Sequence, residues 1–211
     1  MKAFKKITAL ALTLAMLMTS MLTTSVFAEL KFNDVDDSTA YSAAIYNLVS
    51  EGIINGYDNG DGTSSFKPDA TITRAEFAKI VVMTREGANA AFNQTTTNFP
   101  DMAGSEWAIP YVAHATGLGI INGYEDGTFR PDTYITRAQA MTMINRVLNR
   151  IPEDADDLLS NMNVWPDCNP GDWFYLAVQE ATNSHAFQYK TGNYETWTGM
   201  NKKTDWTRYE N

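Results

Sequence analysis

An arginine in the first turn of a helix is electrostatically out of place, and this chain repeats that placement three times. Thr73-Arg74-Ala75-Glu76 returns as Thr136-Arg137-Ala138-Gln139 and, in a worn copy, as Thr207-Arg208-Tyr209-Glu210. In each copy the threonine reads as an N-cap. The Glu or Gln three residues on completes a capping box, so that two side chains satisfy backbone N–H groups the helix leaves unpaired. That accounts for the threonine and the acid but not for the arginine. A cation at the positive end of the helix macrodipole is mismatched by roughly 0.3–1 kcal/mol. Its recurrence in register predicts that something anionic comes to meet Arg74 and Arg137.

Other candidate chemistry is weaker. Asp58-Asn59-Gly60-Asp61-Gly62 invites a calcium reading. An EF-hand-type loop needs oxygen ligands at positions 1, 3 and 5, Gly at 6 and an acid at 12. With Asp58 first, glycines fall on ligand positions; with Gly62 sixth, the ends are Tyr57 and Pro68. The stretch reads as a plain turn, and no metal is expected. Asp34, Asp101 and Asp167 recur at equivalent points, but nothing singles out an acid and a partner of the kind glycosidases use; each reads as capping a turn or helix. Cys168 stands alone, and His114 and His185 form no Cys/His signature with it, so no catalytic nucleophile is expected. Tyr57, Tyr124, Trp107 and Trp173 read either as core or as sugar platforms. An aromatic face beside an arginine can hold a charged sugar by ring contact plus a charge-assisted hydrogen bond.

The elements that must position these residues follow a repeat. Phe32-Asn33-Asp34-Val35 matches Phe99-Pro100-Asp101-Met102 and Trp165-Pro166-Asp167-Cys168, and six residues after each Asp stands Ala40, Trp107 or Trp173. Helices are expected from Ala40 to Glu51, Trp107 to Thr116 and Trp173 to Asn183, the first from the spacing of Tyr41, Ile45, Leu48 and Val49. Asp36 to Thr39 supply N-cap material for it. Gly52 and Gly119 end the first two helices as left-handed C′ residues. Ile53-Ile54-Asn55-Gly56-Tyr57 and Ile120-Ile121-Asn122-Gly123-Tyr124 then read as short extended pieces entering a turn. The loop beyond is four residues longer in the first copy, with both flanks in register, which marks a surface loop. The capping boxes open second helices, expected from Thr73 to about Ala91 and from Thr136 to about Ile151. The latter carries Met141, Ile144, Leu148 and Ile151 on one apolar face. The third unit differs. His185-Ala186-Phe187-Gln188-Tyr189 replaces the glycine turn, residues 191–206 follow no clear period, and the chain stops three residues after Arg208.

Lys2, Lys5 and Lys6 precede an apolar run from Ile7 to about Met21 and a Val26-Phe27-Ala28 end, the pattern of a secretory signal peptide over residues 1–28. No cysteine near the cut suggests a lipid anchor. Without those residues 13 Lys and Arg face 25 Asp and Glu, a net charge of −12. That argues against nucleic acid as a partner and suits a well-hydrated exported chain with no integral membrane segment after signal removal. A single cysteine cannot form an internal disulfide.

Taken together, Phe32-x-Asp34-Val35, Gly52-Ile53-Ile54-x-Gly56-Tyr57, Phe66-x-Pro68-Asp69 and Ile72-Thr73-Arg74-Ala75-Glu76-Phe77 resemble an S-layer homology (SLH) domain. The ordered set recurs from Phe99-x-Asp101 and Trp107-Ala108 through Gly119–Asp132 to Ile135-Thr136-Arg137-Ala138-Gln139. The third unit resembles the family only at Asp167, Trp173 and Thr207-Arg208-x-Glu210. This divides the chain into repeat 1 (29–92), repeat 2 (93–151), an acidic linker (152–163) and a degenerate, incomplete repeat 3 (164–211).

The resemblance implies a mainly α fold of helix-loop-helix repeats in a pseudo-three-fold arrangement with short extended segments. It also implies a secreted, non-catalytic module without cofactor, attached to the cell wall or S-layer through a pyruvylated secondary cell wall polysaccharide. Carried over by position, Arg74 and Arg137 would meet the anion, while Asp34, Asp101, Trp107, Gly56, Gly123, Tyr57 and Tyr124 would shape the grooves or meet the sugar. The alternative is a structural surface-layer component acting by self-association or by assembly with other surface-layer proteins. Ala40 stands at the first unit's Trp position, beside Tyr41, and Gln139 replaces the usual Glu. With the third unit's glycines missing, the resemblance implies one good groove and a weaker second.

Overall fold

The computed structural model describes residues 31–202. The signal-peptide segment 1–28 and the third motif copy at 207–210 lie outside the described residues. Repeat 1 runs through α1 (Ser42–Ser50), the two-residue strands β1 (Tyr57–Asp58) and β2 (Ser64–Ser65), and α2 (Arg74–Glu86). Repeat 2 supplies α3 (Ile109–Gly117), entered through a 3-10 turn at Glu106–Ala108, and α4 (Arg137–Leu148). The third unit supplies α5 (Tyr175–Thr182) and an antiparallel hairpin of β3 (His185–Tyr189) and β4 (Glu195–Met200).

Local chemistry explains most of the boundaries. Thr73 and Thr136 are N-caps with complete capping boxes. Because Thr136 is solvent-exposed, Thr136→Ala isolates the cap. It is expected to cost about 1 kcal/mol, read as a fall of roughly 2–4 °C in Tm. α2 stops at Gly87 (φ 85°), short of Ala91, and α4 stops where Asn149 turns left-handed (φ 52°). α3 begins late because Pro110 at its second position has no N–H to give. Asp36 to Thr39 do not cap α1. The Asp36 carboxylate instead accepts from the Ser38 N–H at 2.8 Å and hydroxyl at 2.6 Å, building a separate turn, and the helix opens at a left-handed Tyr41 (φ 63°).

α2 is the shared wall of two cores. Its Ala75, Ala78, Val81 and Val82 pack with Phe99, Val112, Ile120, Phe129 and Met143 of repeat 2, while Met83 joins Phe32, Ile45, Ile53 and Ile54 of repeat 1. Ala75 and Ala78 are small enough to let repeat 2 approach the α2 backbone closely. α4 is rotated from the face its apolar pattern suggests. Met143 is buried and Val147 packs beside it, whereas Ile144 and Leu148 are exposed. The reason is that α4 lies against both the repeat 2 core and α5, with the Asn145 side-chain amide donating to the Ala177 carbonyl at 2.8 Å. The hairpin β3–β4 is not foreshadowed by the sequence reading. Its strands pair from His185↔Met200 to Tyr189↔Glu195 around an irregularity at Ala186/Phe187. No helix among the described residues is long and apolar enough to cross a membrane.

Candidate ligand-binding groove

The first turn of α2 is docked, not open. The N–H groups of Arg74 and Ala75 donate to the Thr133 and Pro131 carbonyls of repeat 2 at 2.9 and 3.0 Å, and Glu76 N–H donates to Thr73 Oγ1. The helix end therefore meets backbone carbonyls, which occupy the donors an anion would need there. Alongside, Ile135 N–H donates to the Ile72 carbonyl at 3.0 Å, and Thr73 bridges to Tyr134. This docking carries the Arg74 side chain across the repeat boundary. Arg74 is only 7% exposed. Its Nε donates to the Phe129 carbonyl at 2.8 Å, and its guanidinium stands 4.7 Å from the Tyr124 ring centroid and 4.8 Å from that of Phe129.

There it helps line a cavity of about 620 Å³ between the units. Repeat 2 gives the turn from Ile120 to Asp126, Arg130, and one face of α4 with Gln139, Thr142, Met143 and Arg146; Trp173 comes from the third unit. Arg130 lies 3.9 Å from the Tyr124 centroid, so that ring is flanked by two cations. Arg130 also pairs with Asp126 at 2.8 Å, and the Thr128 hydroxyl together with Arg130 holds the Asp126 carboxyl down at about 2. Arg146 donates to the Ile120 carbonyl at 3.0 Å. Burial lowers the pKa of both Arg74 and Arg146 from the usual guanidinium value. Among the described residues neither is paired with a carboxylate. Two desolvated cations that remain protonated at any physiological pH thus share one cavity with an aromatic ring and an exposed indole.

Asp101 stands behind this surface. Its two carboxylate oxygens accept from the Phe129 and Arg130 N–H groups at 2.9 and 2.7 Å, holding Arg130 in a left-handed conformation (φ 58°). Asp34 does the same to Phe66 and Lys67 at 2.8 Å each, and these hydrogen bonds, with that from Phe66 foremost, keep its carboxyl below the usual range. Both aspartates are loop clamps. Gly56 and Gly123 (φ 66° and 70°) face the Phe32 and Phe99 rings, where a Cβ would overlap the aromatic carbons. Tyr57 donates to Glu76 at 3.0 Å, and Tyr124 accepts from the Gln139 amide at 3.0 Å, so the capping residue orients the tyrosine in both repeats. Lys67 lies 4.5 Å over Tyr57 as Arg130 lies over Tyr124. Among the described residues, no second cation lies over Tyr57.

The structure brings Arg74, Gly123 and Tyr124 together at the cavity, with Asp101 supporting it. Asp34, Gly56 and Tyr57 hold the matching positions in repeat 1. Arg137 is exposed, and it does not line the cavity; nor does Trp107, which is half exposed. Trp173, which reads from sequence as either core or sugar platform, lines the cavity, and Arg130 and Arg146, which the sequence reading does not single out, complete the lining. Two signals for them were present: Arg130 aligns with Lys67 in the Phe-x-Pro-Asp turn, and Gln139, Thr142, Met143 and Arg146 fall on one helix face. In the third unit, Trp165 is exposed where Phe32 and Phe99 are buried. Cys168 is buried and its thiol is pushed up by that burial, which suits packing and not nucleophilic chemistry.

Residues 31–78 and 98–141 each match the model of one family, the S-layer homology domain. Over 164 residues the chain is 33% identical to Cell surface glycoprotein 1 of Acetivibrio thermocellus, covering 74% of this chain and 7% of that protein. Surface layer protein of Brevibacillus choshinensis is 37% identical over 131 residues, covering 61% and 11%. Cellulosome-anchoring protein of A. thermocellus is 31% identical over 163 residues, covering 76% and 34%. The chain spans about a third or less of each of these relatives.

Proposed function

Over residues 31–78 and 98–141 the chain belongs to the S-layer homology family, and from that premise we propose that it is a non-catalytic anchoring module of the cell envelope. It holds an anionic, pyruvylated secondary cell wall polysaccharide in the groove between Arg74 and Trp173. The observation that carries this reading is the pair of desolvated arginines, Arg74 and Arg146, sharing a cavity with neither paired to a carboxylate among the described residues. A ketal-linked pyruvate presents a planar carboxylate, which a guanidinium fork binds with two parallel hydrogen bonds. Low local dielectric strengthens that contact relative to water. Trp173 and Tyr124 offer apolar faces to the pyranose rings, and the cavity has room for a short oligosaccharide. The names of the relatives, a surface layer protein and a cellulosome-anchoring protein among them, support the envelope location.

The test is co-sedimentation with purified cell walls before and after mild acid removal of the pyruvyl ketals. Binding is expected on intact walls, to weaken as salt rises, and to disappear on depyruvylated walls. Trp173→Ala is expected to weaken binding up to about tenfold with unchanged melting, since the indole is 69% exposed and an aromatic face contact is worth about 0.5–1.5 kcal/mol. Undiminished binding to depyruvylated walls would sink the anionic reading.

A further inference from the structure

The third unit holds a charge cluster that the groove does not use. Arg150 follows α4, Glu180 lies on α5, His185 opens β3 and Glu195 opens β4. Arg150 Nη2 donates to Glu180 Oε1 at 2.8 Å, and Arg150 Nε donates to Glu195 Oε2 at 2.6 Å. His185 Nε2 lies 2.7 Å from Arg150 Nη2 and 3.2 Å from both Glu180 Oε2 and Glu195 Oε1. Its Nδ1 lies 2.6 Å from the Asn183 carbonyl and so carries a hydrogen. Trp197 stacks on the imidazole with centroids 3.9 Å apart and donates its N–H to Glu180 Oε2 at 2.9 Å. The side chains of Glu180, His185 and Glu195 are no more than 3% exposed.

Charge counting constrains this site. With both glutamates ionised and the imidazole neutral, Nε2 accepts from Arg150 Nη2 at 2.7 Å, but the cluster carries a net −1 away from water. One added proton removes that penalty. On His185 Nε2 it would donate to the carboxylates but set an N–H against the Arg150 N–H. On Glu195 it bridges the two carboxyls while Nε2 keeps accepting from Arg150, the placement the 2.7 Å contact favours. Either placement leaves the cluster neutral.

We infer that the cluster is a one-proton lock: the held proton strengthens the fastening of the hairpin β3–β4 to α5 and to the end of α4, and rising pH weakens it. The charged groups facing His185 are Arg150 beyond α4, Glu180 from α5 and Glu195 from β4. Lys190, at the hairpin turn, is engaged by Glu153 and Asp157 at 2.9 Å. Burial and the neighbouring Glu180 hold the Glu195 carboxyl above its usual range, and contact with Glu180 lifts His185 above its own against the opposing effect of burial. Both shifts have the same sign. In the released state these groups titrate near 4.5 and 6.5. Above about 6.5 the released form therefore holds no proton where the locked form holds one, and locking weakens about tenfold per pH unit until the folded cluster itself deprotonates. Below that point the released histidine keeps its own proton, and the dependence flattens. α5 starts two residues after Trp173, so release also loosens the aromatic wall of the groove.

Hydrogen exchange of the protein, followed by peptide across pH 6–9 and corrected for intrinsic exchange, reads the opening of residues 185–200. Hairpin protection is expected to fall about tenfold per pH unit above 6.5, with repeats 1 and 2 unchanged. Glu195→Gln, whose cluster is neutral without an added proton, is expected to reduce that slope to less than about twofold per unit. Constant hairpin protection across the range in the unaltered protein overturns the lock, and that measurement stands even if Glu195→Gln fails to fold. Loss of protection at every pH on adding a chelator also overturns it, because a metal ion, not a proton, would then be holding the carboxylates.

Discussion

Arg74→Gln is expected to weaken wall-polysaccharide binding by roughly 100- to 1,000-fold, the cost of removing one partner from a desolvated charge pair, while Arg137→Ala changes it less than about twofold. The two arginines occupy the same place in a four-residue motif, so the contrast comes from surroundings alone. Arg74 is buried, fixed by the Phe129 carbonyl and held against the Tyr124 ring. Its side chain is already ordered before a ligand arrives, and little entropy is lost on binding. Arg137 is exposed and lines no cavity. Arg74→Lys is the informative intermediate: it keeps the charge and loses the fork, so binding should fall less than in Arg74→Gln but clearly below the parent. Because Arg74 also packs, melting curves belong beside the binding curves; a stability loss of about 1 kcal/mol leaves the folded fraction near unity and cannot account for a hundredfold effect. Equal losses from Arg74→Gln and Arg137→Ala would refute this assignment.

Gly123→Ala is expected to destabilise the protein by about 3–5 kcal/mol, and Gly127→Ala, four residues away, by only about 1 kcal/mol. Both glycines have positive φ, 70° and 79°, so both replacements carry the left-handed penalty. They differ in what a methyl group would meet. At Gly127 it enters open space, whereas at Gly123 it would overlap the Phe99 ring and come within 2.9 Å of the Thr128 carbonyl. Phe99 cannot retreat easily, being buried against Phe129, itself 0% exposed. Urea or thermal unfolding of the two variants would separate the steric cost from the conformational one. Near-equal losses would mean that the Phe99 packing yields at little cost.

The sequence made local structure legible wherever the cause lies within a few residues. Thr73 and Glu76, or Thr136 and Gln139, satisfy one another across a single turn of helix, so both capping boxes could be placed without knowing anything else about the fold. Gly52, Gly56, Gly119 and Gly123 all take the left-handed backbone that marks a helix end or a tight turn. Two expectations fail for different reasons: Gly87, a local stop signal, ends α2 before Ala91, and the α4 face follows not apolar spacing but packing against α5, where the polar Asn145 is buried.

The site resisted local reading because its parts are distant in sequence. Arg74 meets a carbonyl 55 positions along, and Trp173 arrives from another unit. The amino-acid sequence by itself determined the repeat, its caps, its glycine turns and its family, because each rests on interactions spanning one turn or one loop. Only the tertiary structure decided which of Arg74 and Arg137 is buried. The first turn of α2 spends its free N–H groups on the Thr133 and Pro131 carbonyls of the next repeat, and that docking carries Arg74 into the cavity while Arg137 stays at the surface. The mismatch of a cation with a helix N-terminus is relieved first by those carbonyls and by the Tyr124 face, a partnership that residue spacing within the motif cannot encode.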